Sequence, residues 1–169
     1  MPPKKQAELK LSEADDDSAA MPLDQSVLLS LVGYNCRRAY INIMPLFQKR
    51  MARFELRPVD FTVLSLLRAN PNINQKRLSV AINVSPPNLA TLLDKLESRG
   101  LLVRQRNPLD RRSQTLVLTA DGARMCVKAE KTASELEDKA TAALNPDERA
   151  QLILLLQKIF LTENDETDG

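Results

Sequence analysis

Four arginines, Arg104, Arg106, Arg111 and Arg112, fall within one short stretch, and Asp110 is the only acid among them. Guanidinium groups crowded onto an exposed turn repel one another unless an anion receives them. A narrow minor groove is such a site, and arginine suits it better than lysine. Asp110 is placed to orient a neighbouring arginine, here Arg112. Just upstream, Leu89, Leu92, Leu93 and Leu96 fall at i, i+3, i+4 and i+7, the apolar stripe of a helix. Pro87, Thr91, Asp94 and Ser98 lie roughly opposite that stripe, with Asn88 and Lys95 flanking the polar side. Asparagine pairs with adenine edges, and threonine meets base edges or a thymine methyl. Ser85, the first amides of the helix and Lys95 are groups that hold phosphates. The expected DNA-contacting set is Ser85, Pro87, Asn88, Thr91, Lys95, Arg106, Asp110, Arg111 and Arg112.

The elements around this set read as a winged helix-turn-helix. Asn74 caps a short helix with Leu78, Ala81 and Ile82 on its inner face. Asn83-Val84 is a tight turn. Ser85 is the next N-cap, with Pro86 where a missing N–H costs nothing. Gly100 is a left-handed helix stop. Leu101 to Arg106 and Gln114 to Leu118 are strands, joined through the turn chemistry of Asn107-Pro108-Leu109-Asp110. On the N-terminal side, apolar periodicity predicts a long helix over about 24–54, kinked or split at Pro45. Pro58 opens a mostly buried helix, and Asn70-Pro71-Asn72 is a turn. Thr119 caps a helix running to about Ala143, and Asn145-Pro146 starts the last one. Leu152, Ile153, Leu155, Leu156, Ile159 and Phe160 give that helix more apolar surface than one edge of a small domain buries. The expected class is mainly α with a small antiparallel β wing, a winged helix-turn-helix plus a helical dimerisation domain. Residues 1–22 are expected to be a disordered acidic arm and 162–169 an acidic tail. The unit between them spans 23–161, with dimerisation helices over 23–54 and 120–161 and the winged helix-turn-helix over 58–119.

Charge agrees with a polyanion partner. The net charge is only +2. Residues 1–24 carry −3 and residues 162–169 carry −4, so the body carries +9, of which 76–112 holds +5. The chain has no histidine, which removes Ser-His-Asp and Cys-His catalysis and imidazole metal sites. With no Gly-rich phosphate-cradling loop either, the chain is not expected to be an enzyme, and no cofactor or metal is expected. The two cysteines, Cys36 and Cys126, make neither a disulfide framework nor a zinc site. No apolar run reaches the ~18 residues of a membrane span, and the N-terminus lacks a secretory apolar core. The expected location is the cytoplasm, with no membrane partner.

Asp110-Arg111-Arg112 followed by Leu118-Thr119-Ala120-Asp121-Gly122 resembles the wing signature of the MarR family of bacterial transcriptional regulators. Leu93-Asp94-Lys95-Leu96-Glu97-Ser98-Arg99-Gly100-Leu101-Leu102 is similar to that family's recognition-helix end and strand start. The resemblance covers about Leu23 to Leu161. It implies a homodimer built from the first helix and the last two, and a palindromic double-stranded operator. It also implies that Arg112 enters the minor groove with Asp110 as its partner. Many members are repressors released by small aromatic acids, bound where the dimer helices meet the winged domain. By position, Tyr34, Arg37, Arg38, Tyr40, Ile41 and Met44, with Phe61, are the expected effector residues. An arginine beside a tyrosine suits an aromatic carboxylate. The segment from Gly33 to Tyr40 is also similar to regulators of aromatic-acid catabolism, some of which sense coenzyme A thioesters.

Two other readings compete. Another branch of the family senses hydroperoxide through a first-helix cysteine, and Cys36 stands on that helix. Low thiol pKa needs nearby cations or a helix N-terminus; the adjacent arginines do not share the face of Cys36. A protein-interaction module would account for the helices but not for the arginine hairpin.

Overall fold

A computed structural model describes residues 23–106 and 114–161. Seven helices and one hairpin follow in the order α1 (Ser26–Leu29), α2 (Val32–Met51), a 3-10 turn (Ala52–Phe54), α3 (Pro58–Ala69), α4 (Gln75–Ala81), α5 (Pro86–Ser98), β1 (Leu102–Arg106), β2 (Gln114–Leu118), α6 (Ala120–Ala140) and α7 (Pro146–Leu161). The fold is mainly helical with a two-stranded antiparallel wing, as the sequence predicts. The strands pair from Leu102 opposite Leu118 to Arg106 opposite Gln114. The amide of Leu116 also donates to the carbonyl of Ile73 (2.9 Å), which ties the wing to the start of the helix-turn-helix.

The break in the first long helix is not at Pro45. The chain leaves the helix at Leu31, whose backbone is extended, and Pro45 sits inside α2. Side chains explain the position. The Ser30 hydroxyl donates to the Val27 carbonyl (2.7 Å), and the Asn35 amide donates to the carbonyls of Leu29 and Leu31 (2.8 Å each). These bonds satisfy the backbone outside a helix. Pro45 removes one bond, to the carbonyl of Ile41, and both residues are exposed, so water can take that carbonyl.

The core lies where α2, α3, α5 and α6 meet the wing. Phe47 and Met51 of α2 join Val63, Leu64 and Leu67 of α3. The α5 stripe, Leu89, Leu92, Leu93 and Leu96, is buried, as are Leu102, Leu116, Cys126, Ala129 and Leu136. The expected caps are present at two helices. Asn74 Oδ1 accepts from the Arg77 amide (2.9 Å), and Thr119 Oγ1 accepts from the Gly122 amide (2.9 Å). Gly100 has φ +68°, the left-handed stop. Helix α6 ends at Ala140, slightly before the expected Ala143.

The segment Leu118–Gly122 anchors the start of α6. Thr119 donates from its amide to the Leu101 carbonyl (3.1 Å) and from its hydroxyl to the Gly100 carbonyl (2.6 Å). Helix α6 thereby starts against the end of α5. A Cβ at Gly122 would stand 1.8 Å from the Leu101 carbonyl oxygen, so only glycine admits this contact.

Helix α7 has no buried residue. Its Leu154, Ile159 and Phe160, like Val27 and Val32 near the other end of the chain, are more than half exposed. No helix among the described residues is long and apolar enough to cross a membrane.

Candidate nucleic-acid interface

Helix α5 is held by its buried leucines, which leaves Pro87, Asn88, Thr91, Asp94, Lys95 and Ser98 exposed. The turn before it is fixed by Asn83 in the left-handed region (φ 50°) and by the Ser79 hydroxyl donating to the Val84 carbonyl (2.6 Å). Ser85 occupies the N-cap position, but its side chain makes no capping hydrogen bond. That hydroxyl is therefore not consumed by its own helix. The Thr91 hydroxyl donates to the Pro87 carbonyl (3.2 Å) and keeps its acceptor capacity and methyl group outward.

The expectation that Asp110 alone offsets the hairpin arginines is corrected by Arg104. Its guanidinium pairs with Asp94 (2.6 Å) and with Glu97, and its amide donates to Glu97 (3.1 Å). Both acids belong to α5. Arg104 is thus a strut that ties β1 to α5 and neutralises carboxylates on that helix. The pairing crosses elements, so spacing along the chain does not announce it. Arg106 is exposed at the far end of β1, opposite Gln114. Asp110, Arg111 and Arg112 lie outside the described residues.

Arg57 was not among the sequence-predicted residues. The buried carboxylate of Asp60 accepts from the Arg57 amide (3.0 Å), Nε (3.1 Å) and Nη2 (2.9 Å). Burial alone would raise the Asp60 pKa. The Arg57 hydrogen bonds, with the fields of Arg57 and Lys95, outweigh it and hold the carboxyl below its ordinary value. The stability this pair contributes is therefore present above the usual carboxylate range and lost as pH falls through the lowered value. A concave surface of about 410 Å³ is lined by Arg57, Val59, Val84, Asn88, Thr91, Leu92 and Lys95. Three of the expected DNA-contacting residues thus share one face with Arg57. The only signal in the sequence was an arginine before Pro58 with an acid three residues on.

The expected effector residues divide. Met44 and Phe61 are half-buried against the same core, and the Phe61 ring meets Phe47 edge-on with centroids 5.6 Å apart. Tyr34 lies ten residues earlier on α2, about 15 Å along the axis, and its hydroxyl donates to Gln25 (2.7 Å). Arg37, Arg38, Tyr40 and Ile41 are exposed.

Cys36 is exposed and Cys126 buried. Burial first of all pushes the Cys126 thiol up to about 11. Its Sγ lies 3.8 Å from the Ser65 hydroxyl and donates to Glu130 (3.4 Å), which pairs with Arg68. Cys126 should stay unmodified by a thiol reagent near about pH 8 until the chain is unfolded. Labelling of Cys126 in the folded protein at the rate seen in denaturant would contradict this burial.

Residues 56–114 match the model of the MarR family. In structure, the chain superposes on the transcriptional repressor CouR bound to a 23-mer DNA duplex with a TM-score of 0.76. Identity is 38%, over 82% of this chain and 99% of that one. The chain belongs to the MarR family. It is a DNA-binding transcriptional regulator of winged-helix fold. A second CouR structure, bound to p-coumaroyl-CoA, is 37% identical over 81% of this chain and 96% of that one, with a TM-score of 0.71. Bordetella bronchiseptica BpsR, whose DNA binding is regulated by 6-hydroxynicotinic acid, is 28% identical over 76% and 92% of the two chains, with a TM-score of 0.69. The HTH-type transcriptional repressor NicR of Pseudomonas putida is 27% identical over 89% of this chain and 96% of its own length. In this MarR-family chain, the Leu118–Gly122 signature has a physical content. Its threonine caps and anchors α6, and its glycine lets that helix touch a backbone carbonyl.

Proposed function

We propose that this MarR-family regulator is a homodimeric, sequence-specific repressor of a palindromic operator, released by a small aromatic acid or its coenzyme A thioester. The observation that carries the DNA reading is the Arg104 strut, which ties β1 beside the exposed face of α5. Ser85, Pro87, Asn88, Thr91 and Lys95 would meet the major groove, and Arg106, Arg111 and Arg112 the adjacent minor groove, with Asp110 orienting Arg112.

The dimer reading rests on the two uncovered apolar faces, at α1 with the start of α2 and at α7. A second copy would cover both by the same self-complementary patch. In this reading 23–54 and 120–161 form the dimerisation helices and 58–119 the DNA-binding unit, and the recognition helices sit about one helical turn of DNA apart. The effector reading draws on CouR and BpsR, named with p-coumaroyl-CoA and 6-hydroxynicotinic acid respectively.

The test is selection of a duplex from a random library, followed by affinity measurements over a salt series. A binder neutralising several phosphates should lose roughly a thousandfold between about 50 and 200 mM salt. Addition of p-coumaroyl-CoA or a hydroxylated aromatic acid should then free the duplex. Failure to enrich any sequence at low salt would overturn the regulator reading, and failure of every such compound would overturn the effector class alone.

A further inference from the structure

The face formed by the end of α2 and the middle of α6 is cationic, and none of the expected DNA-contacting residues lines it. Two adjoining clefts open there. One, of about 480 Å³, is lined by Arg53, Phe54, Lys128, Lys131, Thr132 and Glu135. The other, of about 350 Å³, shares Arg53, Thr132 and Glu135 and adds Arg50 and Lys139 among its walls. Their acids are partly spoken for. Glu135 lies 4.0 Å from Lys131, and Asp138 pairs with Arg149. Among the described residues, no carboxylate stands at ion-pair distance from Arg50, Arg53, Lys128 or Lys139.

Arg53 is oriented rather than trailing in solvent. Its Nη2 donates to the buried Thr132 hydroxyl, which itself donates to the Lys128 carbonyl (2.9 Å). Its guanidinium carbon lies 4.7 Å from the centre of the Phe54 ring. One edge of the guanidinium is thus fixed to α6, and the rest is turned to the cleft beside two lysines. Holding several cations together costs self-repulsion that an anion would relieve. A lone carboxylate is a poor match for so many cations, and the cleft offers one aromatic wall rather than an apolar enclosure for a ring. A ligand with several phosphate oxygens fits both features, since it can take bidentate bonds from Arg53 while the lysines act as point charges.

We infer that the Arg53–Lys128 cleft binds the phosphate groups of a nucleotide-type ligand. This rests on the regulator reading above and deepens it, because of the two effector classes only the coenzyme A thioester carries such phosphates. The cleft also adjoins the reading helix. Arg99, at the end of α5, donates to the carbonyls of Phe54 (2.8 Å) and Glu55 (2.9 Å).

The experiment measures calorimetric binding of inorganic pyrophosphate and of coenzyme A without an acyl group to the full chain. Arg53→Gln is the direct variant. Lys128→Gln with Lys131→Gln is the second, because these exposed lysines hold nothing in the core. Expected are binding of both probes by the wild type and a loss of about tenfold or more in each variant, as for removal of a charge-assisted contact. Operator affinity without ligand should stay unchanged. Absence of coenzyme A binding to the wild type, or equal binding by the variants, overturns the site. A variant that instead loses operator affinity, with a shallower salt dependence, assigns these cations to the DNA backbone and also overturns it. Wild-type operator binding is scored separately, so failure of the cleft and failure of the regulator reading give different results.

Discussion

Gly122→Ala should lower the stability of the chain by about 3 kcal/mol and its melting temperature by roughly 10 °C. The added Cβ would stand 1.8 Å from the Leu101 carbonyl oxygen and 2.7 Å from its carbon. Both are backbone atoms, so no rotamer change relieves the overlap. Helix α6 cannot shift freely either. Thr119 holds its first turn to the carbonyls of Gly100 and Leu101, which link α5 to β1. Relief therefore means breaking at least one of these bonds, and the displacement reaches the recognition helix and the wing together. Gly33→Ala is the control. A Cβ there meets nothing within 4 Å, and it lies inside α2. Replacing an open helical glycine should gain roughly 0.5–1 kcal/mol. Thermal and urea denaturation of both variants provide the check. A Gly122→Ala protein melting within a few degrees of the wild type would show that α6 does not need this contact.

The parts of the fold that were legible in the sequence are those set by local chemistry. The α5 stripe, the Asn74 and Thr119 caps, the Gly100 stop and the strand from Gln114 to Leu118 each depend on residues a few positions apart. The break at Leu31 is not legible in the sequence, because it depends on the side-chain amide of Asn35 reaching back to Leu29 and Leu31 rather than on a helix breaker such as Pro45. At the interface, the exposed side of α5 could be read from the positions of its leucines. The role of Arg104 could not, because its partners Asp94 and Glu97 are brought to it only when the wing folds back on the helix. Arg57 was hidden for a related reason. Its acid is near in sequence, but the burial of Asp60 and the approach of Lys95 are tertiary facts. Composition could show an excess of cations, and only the fold divides them into struts, reading groups and the separate cluster around Arg53.

That division sharpens the expectation for the wing. Arg112→Ala should weaken operator binding about a hundredfold, close to 2.7 kcal/mol, while leaving secondary structure and oligomeric state unchanged. Arg104 is committed to α5, so the arginines this proposal leaves for DNA are Arg106, Arg111 and Arg112. Arg106 stands at the open end of the paired strands, opposite Gln114. Arg111 and Arg112 follow Asp110 in the sequence, and the proposed wing reading gives the minor-groove role to Arg112. A guanidinium in a narrow groove meets concentrated negative potential and reads groove width, so its loss should reduce both affinity and discrimination between sequences. Arg104→Ala should behave differently. It uncovers Asp94 and Glu97 beside the phosphates and loosens the wing, so its cost should include a fall in thermal stability that Arg112→Ala lacks. Gel-shift titration on the selected operator and on a scrambled duplex, with circular dichroism and light scattering, separates the two. Operator affinity within threefold of wild type after Arg112→Ala would refute the wing assignment. A loss equal on both duplexes would make Arg112 a phosphate contact rather than a groove reader.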